Sequence, residues 1–368
     1  MAKPAARLFR MRDVLAAVVL SVLGLLAVVR FTQGGLDFSA LQRIRLPYIL
    51  ACFGLVLLDW LLEACRLMLL SHAIGQRLSA AGALRTVFQG AFFARITPFT
   101  SGGEPFQIYA LNRGGVPLGH ATAVIAMKSL LNGVARVCLA IAIPAWVLLT
   151  AHGWELGQIT STALTVGIAV YMVIFVMFVL VFVFRARARG WLASVARWPA
   201  LTRLVSRDRL GSALNRLDEH YVAFLGALQH FGRERRGTVV LVGMLSFASW
   251  AAVMAVPVVL VRALGGASPV AEIAATAIIF YLAVNYAPTP GSSGASEVGF
   301  AALFARFVPL PLLGVLVLAW RLFTHYFGLL LGLAVTSATL ARRGVQPEDP
   351  RREAPVETEA PQPSGYSP

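Results

Sequence analysis

Apolar runs of membrane length, separated by short polar turns, set the pattern of the chain. Ser161–Phe184 and Thr238–Val261 carry no charged residue, and about 20 apolar residues in a helix span roughly 30 Å of hydrocarbon. Val14–Val29 follows Lys3, Arg7, Arg10 and Arg12 with no small-residue cleavage site behind it, so it reads as a retained first span and not a signal peptide. Pro47–Leu70, Thr122–Thr150 and Leu310–Ala341 are long enough to cross while holding ionisable groups. These are Asp59, Glu63 and Arg66 in the first, Lys128 and Arg136 in the second, and Arg321 and His325 in the third. The pattern predicts an all-α, polytopic integral membrane protein with about six full crossings.

Between the clean spans the pattern breaks twice in the same way. An apolar arm, Val87–Ile96, runs into Thr97-Pro98-Phe99-Thr100-Ser101-Gly102-Gly103-Glu104-Pro105 and a short amphipathic stretch to Leu111. A second arm, Ile273–Tyr286, runs into Thr289-Pro290-Gly291-Ser292-Ser293-Gly294-Ala295-Ser296-Glu297 and then Val298–Phe307. Proline and glycine break helices, and backbone groups released inside a bilayer must face protein or water. Two re-entrant hairpins are therefore expected, near 87–112 and near 273–307. With an even number of crossings the first enters from the cytoplasm and the second from outside, which is the layout of an inverted repeat. The interval from Glu104 to Lys128 equals that from Glu297 to Arg321 (128 − 104 = 321 − 297 = 24) and supports the repeat.

Composition agrees: 58% of the 368 residues are hydrophobic and 13% charged, with a mean hydropathy of +0.74. That leaves too little polar surface for an ordinary soluble enzyme. The net charge of +15 is read against the membrane, not as a nucleic-acid signal. Residues 185–236 hold eleven Arg against four acidic residues, and basic loops stay cytoplasmic. Both termini and this segment are accordingly expected inside a multi-pass protein of the cell membrane, although Arg30, Arg43, Arg45 and Arg262 would then lie outside. The expected organisation is a first membrane half over 1–184, a basic interfacial or linking helical segment over 185–236, a second half over 237–341 and a disordered tail over 342–368. Cys52, Cys65 and Cys138 have spacings that suit neither a metal cluster nor a disulfide framework.

Charges at bilayer depth are costly and so are paired, wet or functional. In the functional reading Lys128, Arg136 and Arg321 bind an anionic group, Glu104 and Glu297 balance them or exchange a proton, and helix N-termini after the Gly/Ser turns add donors suited to phosphate. In the competing reading each Glu pairs with a nearby cation and caps a helix of its own hairpin. Asp59, Glu63 and Arg66 share one helix face and read as a packing ion-pair cluster; His325 reads as a hydrogen-bonded structural histidine. There is no Walker A sequence, no HExxH or paired-cysteine zinc motif and no Gly-x-Ser-x-Gly elbow. No cofactor or metal is called for, and enzyme activity is not indicated.

The hairpin sequences carry a family resemblance. Ile96-Thr97-Pro98 with Gly102-Gly103-Glu104-Pro105 and Ala110-Leu111, Pro288-Thr289-Pro290-Gly291 with Gly294 and Glu297-Val298-Gly299, and Trp320-Arg321-Leu322 before Gly328–Gly332 resemble the lysylphosphatidylglycerol synthase transmembrane, flippase-like family over roughly residues 10 to 341. The resemblance implies a membrane domain that moves aminoacylated phospholipid between leaflets. It does not imply lysyl transfer, because the short tail leaves no room for the soluble synthase domain of the bifunctional members. Lys128 stands where the family often has Arg. The resulting expectation is translocation of an anionic or aminoacylated phospholipid, or a lipid-linked precursor, through a charged midplane cavity. Its substrate-binding set is Thr97, Pro98, Gly102, Gly103, Glu104, Lys128, Arg136, Thr289, Pro290, Gly291, Gly294, Glu297 and Arg321. Two other readings stay open: a non-transporting lipid-binding scaffold or accessory subunit, and an intramembrane lipid-modifying enzyme. The expected partners are membrane lipid with an anionic headgroup, and a further copy of the chain or a separately encoded enzyme, with no nucleic acid.

Overall fold

The computed structural model describes residues 44–150, 160–162, 164–169, 222–231, 235–284 and 289–344, with isolated positions near 19–30, at 172, 173 and 176, and at 219. All regular elements among them are helical. In chain order they are α1 (Leu46–Ala73), α2 (Ala80–Ile96), α3 (Gly103–Arg113), α4 (Leu118–Thr150), α5 (Arg236–Ala263), α6 (Val270–Val284), α7 (Ala295–Phe304), α8 (Leu310–Arg321), a π segment (Leu322–Tyr326) and α9 (Phe327–Gly344). Short apolar helices also occupy Thr160–Ala169 and Val222–Phe231. Most of the expected spans Val14–Val29 and Ser161–Phe184, most of the basic segment 185–236 and the tail after 344 lie outside the described residues.

Four described helices are long and apolar enough to cross a bilayer: Leu46–Ala73, Leu118–Thr150, Arg236–Ala263 and Leu310–Thr339, the last running through the π segment. At 1.5 Å per residue the 28 residues of α1 reach about 42 Å. Leu50, Leu57, Leu58 and Leu61 of α1 are exposed while Trp60, Ala64, Arg66 and Leu67 are buried. This arrangement, with apolar residues outward and polar ones inward, suits a lipid surround. The chain is a multi-pass membrane protein.

The element series occurs twice with nearly constant offset. α5 begins 190 residues after α1 and α6 190 after α2 (236 − 46, 270 − 80), and α7 and α8 each follow α3 and α4 by 192 (295 − 103, 310 − 118). Packing is reciprocal. α1 lies along α5, the second-half equivalent of itself; α2 packs on α9, and α6 packs on α4. Each half therefore packs its first hairpin arm on the long helix that follows the hairpin of the other, which is how two copies related by a two-fold axis fit together. The main apolar core fills the space between the halves. Under the second hairpin it is aromatic, with Phe300 stacked on Phe304 at 4.0 Å and on Trp320 at 4.4 Å between ring centroids.

Candidate functional site at the hairpin tips

Two helix-turn-helix units, α2–α3 and α6–α7, correspond to the two expected sequence breaks, with first arms that start earlier than expected, at Ala80 and Val270. In the first turn, Thr97 Oγ1 donates to the Phe93 carbonyl and accepts from the Gly102 amide, both at 2.8 Å. Phe99 and Thr100 take positive φ, 57° and 53°. Gly103 lets the arms close, since a Cβ there would lie 2.9 Å from Ala94 Cβ. The opposite turn uses Gly291 at φ 55°, Ser292 at 56° and Gly294 at 84°. A Cβ on Gly291 would meet His325 Cε1 at 2.7 Å and would collide with the Arg95 carbonyl.

The two tips touch. Pro98 and Pro290 form an antiparallel bridge, supported by the Gly291 amide donating to the Thr97 carbonyl at 3.2 Å. The Thr-Pro pairs are 192 positions apart, the same offset as the helices around them, so each residue meets its own counterpart.

Glu297 is fully buried in the first turn of α7. Its carboxylate takes a two-point ion pair from Arg321: Nε to Oε1 at 2.8 Å and Nη2 to Oε2 at 2.8 Å. Oε2 also accepts from the Gly294 amide at 2.7 Å, and Arg321 Nη2 donates to Ser296 Oγ. Glu297 thus pairs with Arg321 of α8 and caps the second helix of its own hairpin. Glu104 differs: it is exposed and accepts from Ser129 Oγ at 2.5 Å. Lys128 turns elsewhere, donating to Glu63 Oε1 at 2.8 Å and to Gln107 Oε1 at 2.5 Å, while Gln107 Nε2 donates to the same Glu63 oxygen at 2.9 Å.

Asp59, Glu63 and Arg66 of α1 each also tie α1 to another helix. Ser249 Oγ donates to Asp59, Glu63 holds Lys128, and Arg66 donates to Asn132 at 3.0 Å, Ser246 at 3.2 Å and Ser249 at 3.1 Å. Arg136 lies over the Trp250 ring, 4.1 Å from its centroid. His325 is buried in the π segment, and its Nε2 has no hydrogen-bond partner among the described residues.

Beneath the joined tips a cavity of about 290 Å³ is lined by Asp59, Trp60, Arg95, Trp250, Tyr281 and Thr324, with apolar residues of α1 and α5. Asp59 and Trp250 are the fourteenth and fifteenth residues of helices 28 residues long, so the cavity sits at mid-height of two membrane-length helices. The Arg95 guanidinium is fixed by the Ala91 and Thr324 carbonyls, both at 2.8 Å. Thr324 belongs to the π segment, where the widened turn frees backbone groups from the regular ladder; π turns recur at functional sites. Trp320 Nε1 donates to Tyr281 Oη at 2.9 Å and fixes that wall. Asp59 and Arg95 remain half-buried in the midst of the packed helices because they face this space.

Arg95 lies inside an arm whose pattern reads as apolar, and Asp59 lies on a helix face whose pattern reads as packing. A larger open cleft of about 600 Å³, with His72, His120, His230, Arg77 and Arg235 in its wall, lies at the ends of α1 and α4, away from the tips.

Paired helical hairpins meeting between membrane-length helices define a multi-pass membrane protein built from two like halves. The model of the lysylphosphatidylglycerol synthase TM region family matches residues 14–332, and the chain belongs to that family. It is also 25% identical over 320 residues to a UPF0104 membrane protein of Archaeoglobus fulgidus, covering 86% of this chain and 93% of the relative.

Proposed function

We propose that the protein moves a phospholipid with an anionic headgroup between leaflets by exposing the tip cavity alternately to the two sides. The single observation behind this reading is the cavity itself, which pairs a guanidinium and a carboxylate at mid-height directly under two touching hairpin tips. An uncompensated charge at that depth costs at least about 2.5 to 3.5 kcal/mol on insertion scales, so a half-buried Arg95 facing a cavity marks a polar path. The hairpins are re-entrant and open to opposite faces, the termini are cytoplasmic, and the membrane is the cell membrane, with halves over 1–184 and 237–341 about the basic segment. A headgroup phosphate engages Arg95 while Asp59 holds the cation's countercharge when the cavity is empty. The acyl chains stay among the outward leucines of the spans. Duplicated halves with broken helices at the midplane are a recurrent transporter design, and the family's lipid-related membrane region agrees with a lipid substrate.

The test is transfer of a fluorescent phosphatidylglycerol between liposome leaflets by the purified full chain. Wild type accelerates transfer, and Arg95→Gln and Asp59→Asn reduce it by tenfold or more, a loss of about 1.4 kcal/mol or above. Transfer no faster than in empty liposomes, or unchanged in both variants, overturns the proposal. Headgroup binding without transfer would favour a lipid-binding scaffold, and a chemically altered lipid an enzyme.

A further inference from the structure

A second cavity, about 200 Å³, opens between α2, α3 and α9 and shares no lining residue with the tip cavity. Its wall along α2 runs from Gly82 to Phe93, a rise of about 16 Å, and its chemistry changes with depth. At the rim stand Arg85 on the first hairpin arm and Arg113 on the second, both exposed. Arg113 Nε donates to Tyr109 Oη at 3.3 Å; among the described residues neither arginine forms an ion pair and no carboxylate lines the groove. One helical turn below Arg85 lies Gln89, 6% exposed, whose side-chain amide has no hydrogen-bond partner among the described residues. Deeper still the wall is Phe92, Phe93, Phe106 and Leu333, members of a small apolar cluster that is separate from the main core and continues to Ile96 beside the first tip.

Two guanidinium groups with no carboxylate partner among the described residues match a phosphodiester, which Arg binds through paired N–H donors. The Gln89 amide lines this groove, where its N–H donors can meet a ligand acceptor. The phenylalanine floor takes an alkyl chain. Phosphate, ester carbonyl and acyl chain follow one another at these depths in a glycerophospholipid. A fatty acid lacks the ester, and a choline headgroup would bring a cation towards two arginines.

We infer that this groove is a binding site for an anionic glycerophospholipid, with its phosphate at Arg85 and Arg113, an ester carbonyl at Gln89 and one acyl chain against Phe93 and Phe106. The site lies outside the translocation cavity, and its occupancy does not depend on transport.

The experiment uses the full chain in nanodiscs with a phosphatidylglycerol bearing a photoreactive group in its acyl chain, the labelled peptides being mapped by mass spectrometry. Label is expected on the segments holding Phe93, Phe106 and Leu333, displaced by unlabelled phosphatidylglycerol and about tenfold less well by phosphatidylcholine or palmitate. Arg85→Gln with Arg113→Gln, at exposed positions that leave the fold intact, weakens labelling about tenfold. Gln89→Leu weakens it further, and Ala110→Trp abolishes it by filling the groove. Label confined to outward α1 leucines such as Leu57, equal competition by palmitate or phosphatidylcholine, or full labelling of the double-arginine variant overturns the inference. Labelling that survives in Asp59→Asn separates this site from the transfer reading, because a failure of transfer leaves it standing.

Discussion

Pro98 and Pro290 occupy corresponding places in the two halves and bridge each other across the centre of the molecule. A contact between equivalent residues places the local two-fold axis between them, and the Asp59–Ser249 hydrogen bond lies on equivalent positions too, 190 apart in step with α1 and α5. Residues paired in an antiparallel bridge have Cα atoms about 4.5 to 5.5 Å apart, within the range a disulfide spans. Pro98→Cys with Pro290→Cys, in a background where Cys52, Cys65 and Cys138 are replaced, is therefore expected to crosslink under mild oxidant. A mass shift after non-reducing digestion reads the bond; its absence in folded protein would place the tips apart. If the tips must separate during transfer, the crosslinked protein is inactive and reduction restores it.

Gly291 and two helix-interior glycines make a paired test of the tip geometry. Gly291→Ala forces a left-handed residue to carry a Cβ against Arg95 and His325, and a loss of about 1 to 3 kcal/mol is expected. At Gly54 and Gly133 nothing lies within 4 Å of an added Cβ, so Ala there is expected to be neutral or to stabilise by up to about 1 kcal/mol through helix propensity. Thermal unfolding followed by size-exclusion fluorescence ranks the three. Equal behaviour of all three would argue against the close approach of the second tip to α2.

Much of this arrangement was legible in the sequence. The four membrane-length helices among the described residues announce themselves as apolar runs, and the Thr-Pro and glycine breaks mark both turns, because proline and glycine act through local backbone geometry. The 24-residue interval was also legible, yet only Glu297 and Arg321 realise it as a contact. In the first half Glu63, 65 positions before Lys128, reaches the ammonium instead, and a tertiary contact of that separation leaves no trace in spacing. Arg95 was obscured for the same reason. It interrupts an apolar arm once, its partner carbonyl at Thr324 lies 229 positions away, and the π segment that presents the carbonyl has no sequence signature.

Glu104 of α3 and Glu63 of α1 differ in burial and in partners, with a consequence for stability. Glu104 is exposed with one hydroxyl partner, so Glu104→Gln is expected to change stability by no more than about 0.5 kcal/mol. Glu63→Leu removes the counter-ion of Lys128, which is 7% exposed, and is expected to cost about 3 to 5 kcal/mol. Urea or thermal unfolding in one detergent compares them; a reversed order would return Lys128 to Glu104.

The Glu297–Arg321 pair permits a sharper test, because pairing and the need for charge can be separated. Removing either partner leaves a buried charge uncompensated, and Glu297→Gln or Arg321→Met is expected to destabilise by about 3 to 5 kcal/mol. The double variant removes both charges, and replacing a whole buried pair is often near neutral, so its loss should be well below the sum of the singles, with a coupling of about 2 kcal/mol or more. Glu297→Gln keeps an acceptor for the Gly294 amide and so preserves the α7 cap; Glu297→Ala loses it and should fall about 1 kcal/mol further. Lysine at 321 retains the charge but not the second N–H contact, so Arg321→Lys is expected between wild type and Arg321→Met. A double-mutant cycle on thermal unfolding reads all of these. Strict additivity would mean the two side chains do not share a contact, whatever their spacing in the chain.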